Sequence, residues 1–284
     1  IRLSLVGSEM CIRDRDNTVD VDQYICQPSS APTPDDATGA VSLSVSEVNE
    51  HAVIIPNLEP STEYTVYAFY NGAICARATF TTKKGKPVGY TEYNGVEALI
   101  ADWDDLSGNI LVTISADADL SNKSEIPAAV TNIVFWGEGA TQPKLTIKGM
   151  SVPGALTKLE FYNLNITAPN GYIVNQNAVD GSFADIIISS CTLKTLRGVV
   201  RYQLAAADKS LHLEIADCII DDLTGGSHYG VLQTEKVAIS SIAVEMTNTT
   251  IANTGVKAAT IFRTNTKQGN AVSYTHLRAH ETKA

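Results

Sequence analysis

Apolar and polar residues alternate in short blocks along most of the chain, which is the pattern of β-strands rather than of long helices. Between residues 21 and 82, five such blocks are separated by turn-rich stretches such as PSSAPTPDDATG and YNG. In chain order the blocks are VDQYICQ, AVSLSVS, HAVIIPNL, EYTVYAFY and ARATFTT. Short strands joined by turns of this kind predict an antiparallel β-sandwich.

From residue 133 onward the chain contains an internal repeat. The octads IVFWGEGA, LEFYNLNI, IIISSCTL, LEIADCII and VEMTNTTI start 26, 27, 27 and 31 residues apart. Their first and third positions are always apolar, and their fifth position holds Gly, Asn, Ser or Asp, which tolerate tight turns. Each octad therefore predicts a strand, a corner and a second strand. We expect two stacked interior columns, the first of Leu159, Ile186, Leu213 and Val244 and the next of Phe161, Ile188, Ile215 and Met246.

A third strand follows each of the last four octads, as GYIVNQ, GVVRYQ, YGVLQT and AATIFR. Three strands per repeat of about 27 residues, with coils stacked in parallel about 4.8 Å apart, predict a right-handed parallel β-helix. A doubly wound α/β sheet is excluded, because such a period has no room for a crossover helix beside three strands. The fold prediction is therefore all-β, with a sandwich followed by a parallel β-helix.

A polar break, KKGKP at residues 83–87, marks the predicted domain boundary. After it, Val96, Leu99, Ile100 and Trp103 recur at helical spacing and predict one short amphipathic helix that caps the β-helix. The predicted domains are the sandwich at 16–84, a linker and helix cap at 85–108, and the β-helix at 109–270.

The two ends of the chain are identified as translated adapter DNA. LVGSEMCIRD at residues 5–14 and VSYTHLRAHE at residues 272–281 can be encoded by the two strands of one duplex, which resembles a transposase-type sequencing adapter. We assign residues 1–15 and 271–284 to this adapter and expect them to form no specific packing. We also expect the natural chain to continue on both sides, so that the sandwich and the β-helix are truncated and any signal region lies upstream.

Composition and charge exclude several function classes. The chain has 284 residues, 44% of them apolar, with a mean hydropathy of +0.00, which excludes intrinsic disorder. Its net charge is −10. Without the adapter segments, the chain has 16 basic and 28 acidic residues. An acidic chain is a poor partner for nucleic acid, so no such partner is predicted. No apolar run approaches the about 18 residues of a membrane-spanning helix.

Two motifs resemble known families. LEPSTEY at residues 58–64, followed by a strand and TFTT, resembles the end of a fibronectin type III domain, in which Leu58 would pack in the core and Tyr64 would form the tyrosine corner. The octad repeat resembles the pectin-lyase-like β-helix superfamily. Together the two domains resemble surface proteins of Bacteroidetes glycan-utilisation systems. This resemblance implies an extracellular or outer-membrane location, with peripheral membrane association through a lost lipid anchor, as in a lipoprotein.

The cysteines predict no metal or redox chemistry. Cys191 and Cys218 occupy the sixth position of successive octads, so we expect a packed, reduced ladder inside the β-helix. Cys26 and Cys75 fall on different sandwich strands with another strand between them, and we expect both to be free. The chain has no CxxC motif and no His/Cys cluster, so we assign no metal and no cofactor.

No catalytic residue is assigned. Catalysis of the pectate-lyase type would require aspartates for calcium on the third strands, and only Glu235, directly after YGVLQT, is acidic there. The pair Asp221 and Asp222 resembles the aspartates of polygalacturonases, but it follows the second strand of its octad. We interpret this pair as a solvated turn.

The third strands instead carry amide, basic and aromatic side chains, which suit hydrogen bonding to sugar hydroxyls and packing against sugar rings. We expect Gln176 and Gln203, 27 residues apart, to stack, with Arg201 on the same face as Gln203. The residues assigned to carbohydrate binding are Gln176, Arg201, Gln203, His228, Tyr229 and Gln233. The predicted function is non-catalytic binding of a polysaccharide or oligosaccharide, pectic ones included, at the cell surface. Two alternatives stay open: a polysaccharide lyase or glycoside hydrolase whose catalytic coils lie beyond residue 270, and a structural or adhesive surface protein.

Overall fold

The computed structural model describes residues 2–6, 9–13, 21–50, 52–203, 209–223, 229–235, 239–252, 260–264 and 270–276. The chain divides into two compact units, Ile1–Lys86 and Pro87–Ala284. Strands dominate both units, and the helices are short. The prediction of an all-β protein is therefore confirmed.

The first unit consists of two antiparallel sheets. Its elements are β1 (Arg2–Val6), β2 (Glu9–Arg13), β3 (Gln23–Pro28), β4 (Val41–Ser42), α1 (Val45–Glu50), β5 (Ala52–Ile55), β6 (Glu63–Tyr70) and β7 (Ala73–Thr81). One sheet has the strand order β1-β2-β5, and the other has the order β4-β3-β6-β7. Strand β6 lies between the strands that carry Cys26 and Cys75, and neither cysteine forms a disulfide among the described residues, as predicted. The apolar core of this unit contains Val53, Ile55, Leu58, Tyr64, Val66 and Phe80.

Tyr64 fixes the turn that leads into β6. Its hydroxyl oxygen accepts a hydrogen bond of 3.0 Å from the backbone N–H of Glu59, and its ring stacks on Phe80 with the ring centroids 5.9 Å apart. Leu58 is buried beside it. One aromatic side chain thus joins the turn, the strand and the core of the first unit.

The block AVSLSVS, expected as a strand, is mostly not one. Only Val41–Ser42 pairs with β3, and helix α1 begins shortly afterwards. Ser44 caps this helix, because the backbone N–H of Glu47 donates to Ser44 Oγ at 3.3 Å. In return, the backbone N–H and the hydroxyl of Ser44 donate to the Glu47 carboxylate at 2.7 and 2.6 Å. This reciprocal capping box favours a helix over the alternating pattern of the block.

The second unit is a parallel β-helix built from three sheets. Its elements are β8 (Thr91–Asn94), α2 (Val96–Ala101), β9 (Gly108–Ile114), β10 (Ala118–Asp119), β11 (Val130–Gly137), β12 (Lys144–Thr146), β13 (Ala155–Tyr162), β14 (Asn165–Thr167), β15 (Val174–Gln176), β16 (Ser182–Ser189), β17 (Thr192–Leu196), β18 (Val200–Tyr202), β19 (Ser210–Ala216), β20 (Ile219–Leu223), β21 (Gly230–Thr234), β22 (Ser241–Thr247), β23 (Thr250–Ala252), β24 (Thr260–Thr264) and β25 (Asn270–His276). Sheet 1 has the order β8-β9-β11-β13-β16-β19-β22-β25, sheet 2 the order β10-β12-β14-β17-β20-β23, and sheet 3 the order β15-β18-β21-β24. The prediction of a parallel β-helix is confirmed.

The octads form the interior columns that the sequence predicts. Leu159 pairs with Ile186, Ile186 with Leu213 and Leu213 with Val244, and the third-position column pairs in the same way. All eight side chains are at most 3% exposed. The fifth positions bend the chain as expected, because each of the last four has a positive φ: Asn163 (54°), Ser190 (53°), Asp217 (55°) and Asn248 (46°).

Cys191 and Cys218 stack as free thiols behind these corners, which confirms the predicted reduced ladder. Cys191 Sγ accepts a hydrogen bond of 3.4 Å from the backbone N–H of Leu164 and donates one of 3.2 Å to the carbonyl of Ser189. Cys218 repeats this arrangement one coil later, with the N–H of Cys191 and the carbonyl of Ala216. Burial raises the pKa of the Cys191 thiol, so Cys191 stays protonated at neutral pH.

The predicted helix is present as α2, but it ends at Ala101, and Trp103 lies in a short 3-10 turn that follows it. Val96, Leu99 and Trp103 are buried in the same apolar core as the coils, and the indole N–H of Trp103 donates to the carbonyl of Glu125 at 3.1 Å. The structure also has one coil before the first octad, formed by β9 and β10. Ile114 occupies the octad's fifth position in that coil, where no turn-forming residue marks the repeat.

The expectation that residues 1–15 and 271–284 form no specific packing is wrong where the structure describes them. Strand β2 pairs with β5 in antiparallel fashion, and β25 pairs with β22 in parallel. Without them, β5 and β22 would expose unpaired backbone N–H and C=O groups, which any alternating segment can pair with. The assignment of both terminal segments to adapter DNA stays a prediction.

Candidate functional site

Sheet 3 carries one row of polar side chains across four coils. Asn175 pairs in register with Arg201, Arg201 with Gln233, and Gln233 with Arg263. We call these four residues the sheet-3 row. In β18 the residues before and after Arg201 are buried, whereas the Arg201 side chain is 18% exposed. Strand alternation therefore places the row on the outer face of the β-helix.

Glu235 bonds to two neighbouring residues of this row, each from a different coil. Arg201 Nη2 donates to Glu235 Oε2 at 2.9 Å, and the Gln233 amide donates to Glu235 Oε1. Glu235 lies two residues after Gln233 and is itself 18% exposed on its side chain. The sequence identified Glu235 as the acidic residue of the third strands but did not pair it with Arg201. The carboxylate therefore neutralises the guanidinium and positions the neighbouring amide.

Two tyrosines pack beside the row, each under a guanidinium group. Arg201 Cζ lies 5.5 Å from the ring centroid of Tyr172, and Arg197 Cζ lies 5.1 Å from that of Tyr229. The two rings meet edge to face with their centroids 6.3 Å apart. The Tyr172 hydroxyl donates to Gln233 Oε1 at 3.4 Å, and burial raises the pKa of Tyr172 to about 12, so the donor proton is retained at neutral pH.

Gly198 makes room for this aromatic packing. A Cβ atom at Gly198 would lie 2.8 Å from Cε1 of Tyr172 and would also meet the carbonyl of Gly230. Any larger residue there would displace the Tyr172 ring from beneath Arg201. Gly198, two residues before β18, therefore allows the Tyr172 ring to lie close to Arg201.

Gln176 is not part of this face. Its register partner is Tyr202, so the expected stacking of Gln176 on Gln203 is wrong. The Gln176 side chain is fully buried, and its amide group is hydrogen-bonded to the backbone. Gln176 Oε1 accepts from the N–H of Val152 at 2.9 Å, and Nε2 donates to the carbonyls of Val152 (3.0 Å) and Ala178 (3.1 Å). The third strands are 26 residues apart at this point, whereas the octads are 27 apart, and this difference shifts the register by one.

The other assigned residues lie at or beside the row. Arg201 and Gln233 belong to it, although Gln233 is only 1% exposed. Gln203 follows β18 and is partly exposed, and Tyr229 precedes β21 and is also partly exposed. His228 lies outside the described residues. The structure thus brings Arg201, Gln203, Tyr229 and Gln233 to one side of the β-helix.

Other polar groups have structural surroundings. Asp221 and Asp222 lie inside strand β20, so the predicted solvated turn is wrong. Asp221 Oδ2 lies 3.9 Å from Lys194 Nζ, and Asp222 has a positive φ of 57°. His212 Nδ1 lies 3.1 Å from Asp185 Oδ1, on the outer face of sheet 1. Within the described ranges, no group of three or more His, Cys, Asp and Glu side chains is arranged to hold a metal ion, and no helix there is long and apolar enough to cross a membrane.

Comparison of the chain with protein-family models, with curated proteins and with solved structures found no match. Function is therefore inferred from the geometry of the sheet-3 face.

Proposed function

We propose that the protein binds a polysaccharide or oligosaccharide on the sheet-3 face and does not cleave it. The observation that carries the proposal is the sheet-3 row, in which amide and guanidinium side chains occupy four successive rungs beside Tyr229. With rungs about 4.8 Å apart, the row is about 14 Å long, which suits an extended chain more than a small metabolite. Amides and guanidinium groups hydrogen-bond sugar hydroxyls, and a tyrosine ring packs against the apolar face of a sugar.

The carboxylate chemistry of the face supports binding over turnover. Glycoside hydrolysis requires two carboxylates about 5 to 9.5 Å apart. In residues 171–176, 197–203, 229–235 and 260–264, Glu235 is the only acidic residue. Its two oxygens are engaged by Arg201 and Gln233. A lone carboxylate in this arrangement organises the face and has no partner carboxylate in these segments.

The wider setting is proposed from resemblance. In it, a fibronectin type III module is the spacer, and a right-handed, pectin-lyase-like β-helix is the recognition platform of a Bacteroidetes glycan-utilisation surface protein with a lipid anchor. The contacts of the Tyr64 hydroxyl and ring support the first assignment. Corner asparagines support the second, since Asn248 Nδ2 donates to Asp217 Oδ1 at 2.6 Å and Asn163 Nδ2 to the carbonyl of Gly137 at 3.0 Å.

A glycan array combined with a product assay tests the proposal. Arg201→Ala should weaken binding at least tenfold, because it removes a charge-assisted donor and releases Glu235. Lys194→Ala is the control, since this exposed cation lies on sheet 2 and should leave binding unchanged. Unsaturated or reducing-end products from the intact protein would show an enzyme instead. The absence of both binding and products would favour the structural or adhesive role.

A further inference from the structure

We propose that the sheet-3 face selects uncharged sugars, and that Asn175 and Glu235 set this selectivity. The inference rests on the proposed function and names the ligand class for the same face. Two observations carry it: a donor and an acceptor in the row that lack partners, and the carboxylate that already occupies Arg201.

The two atoms belong to register neighbours and are complementary as donor and acceptor. Asn175 Oδ1 and Arg201 Nε are both buried, and in the part of the chain that the structure describes neither has a hydrogen-bond partner. The two residues are register neighbours in β15 and β18. The amide oxygen is an acceptor, whereas Nε carries a hydrogen and is a donor. Both residues are partly exposed as a whole, so a ligand on this face would meet the side chains that carry these atoms.

A sugar hydroxyl matches this pair, whereas a carboxylate does not. A hydroxyl group donates and accepts at once, so it can donate to Asn175 Oδ1 while it accepts from Arg201 Nε. An ionised uronate carboxylate only accepts. It would satisfy Arg201, but it would place a second oxygen against Asn175 Oδ1 and leave that acceptor unpaired. The pair therefore recognises a group that can donate a hydrogen bond.

Glu235 adds an electrostatic preference. The charged groups of the described face are Arg197, Arg201, Arg263 and Glu235, and only Glu235 is negative. Because it bonds to Arg201 at 2.9 Å, a ligand carboxylate would compete for the same guanidinium at close range to a like charge.

The test uses one polysaccharide backbone in two charge states. Fully methyl-esterified homogalacturonan is uncharged, and its de-esterified form is a polyanion; neutral galactan, arabinan and xyloglucan complete the panel. The intact protein should bind the uncharged polymers at least tenfold more tightly than the polyanion, a difference of about 1.4 kcal/mol. This measurement needs no variant.

Two variants test whether Glu235 and Asn175 set the selectivity. Glu235→Gln removes the negative charge but keeps a hydrogen-bonding side chain, so the preference for uncharged over anionic polymer should fall at least tenfold. Asn175→Ala should weaken binding of the uncharged polymers at least tenfold. Its matched control is Asn165→Ala, because Asn165 Oδ1 is also buried without a partner but lies on sheet 2. That control should bind as the intact protein does.

The outcomes separate the inference from the proposed function. Equal or tighter binding of the polyanion by the intact protein would overturn the inference and leave carbohydrate binding standing. A preference that Glu235→Gln does not change, or an affinity that Asn175→Ala does not change, would remove that residue from the inference. Binding to no polymer in either charge state would refute the proposed function together with the inference.

Discussion

Replacement of Ile188 by Ala is the sharpest test of the coil register. Ile188 is fully buried and stacks between Phe161 and Ile215 in adjacent coils. The substitution removes three carbon atoms, and at about 0.8 kcal/mol per carbon the lost transfer free energy is about 2.4 kcal/mol. Because backbone hydrogen bonds hold the neighbouring coils in place, the cavity cannot fully collapse. We therefore expect a total cost of about 3 to 4 kcal/mol in the free energy of unfolding, within the usual range for such deletions.

Urea unfolding followed by tryptophan fluorescence measures this cost. Both tryptophans, Trp103 and Trp136, are buried in the second unit, so their emission reports on the β-helix. The matched control is Ile219→Ala, because the side chain of Ile219 is 49% exposed and its truncation should cost less than about 1 kcal/mol. The thermal midpoint of Ile188→Ala should fall by roughly 6 to 16 °C. If both variants lose the same stability, the assigned register is wrong.

Four further predictions concern the corner, the cysteines and the first unit. Asn163→Ala should destabilise the protein by about 1 to 2 kcal/mol more than Asn163→Gly in urea unfolding, because only glycine adopts the φ of 54° without strain. Peptide mass spectrometry after thiol labelling at pH 8 should find Cys75 modified and Cys191 protected until urea unfolds the chain, since Cys75 is exposed and Cys191 is buried. Because burial raises the pKa of Cys191, the unfolded chain releases this proton at lower pH, and stability should decrease as pH rises above about 8.5. Tyr64→Phe removes the acceptor for the N–H of Glu59 and should cost about 1 kcal/mol, measured by hydrogen exchange of the first unit; unchanged exchange would show that this bond is unimportant.

The interior and the corners of the β-helix are predictable from sequence because the same physical demand recurs in every coil. Position one must fill the core, so Leu159, Ile186 and Leu213 are all apolar and all fully buried. Position five must adopt a positive φ, so Asn163 and Asp217 are turn-forming residues. The coil of β9 and β10 has an isoleucine at position five, so its sequence does not show the octad pattern.

The register of sheet 3 is less predictable, because insertions between strands change its period. Successive third strands are 26, 32 and 30 residues apart in register, whereas the octads are 27, 27 and 31 apart. A shift of one residue exchanges the inner and outer faces of a strand. This is why Gln176, expected beside Gln203, lies inside the β-helix and bonds to the backbone of Val152. The outward neighbour of Gln176 is Asn175, which takes its place in the row.

Self-similarity along the chain also cannot predict the contacts that distinguish one rung from the next. Core columns repeat one residue type, but the sheet-3 row changes from amide to guanidinium to amide to guanidinium. Its central contact runs diagonally, from Arg201 to a carboxylate two residues past its register partner Gln233. Such diagonal neighbours lie within reach of long side chains but have no fixed sequence spacing when coil lengths vary. The repeat therefore predicts the scaffold, and only the three-dimensional register identifies Glu235 as the group that controls the charge of Arg201.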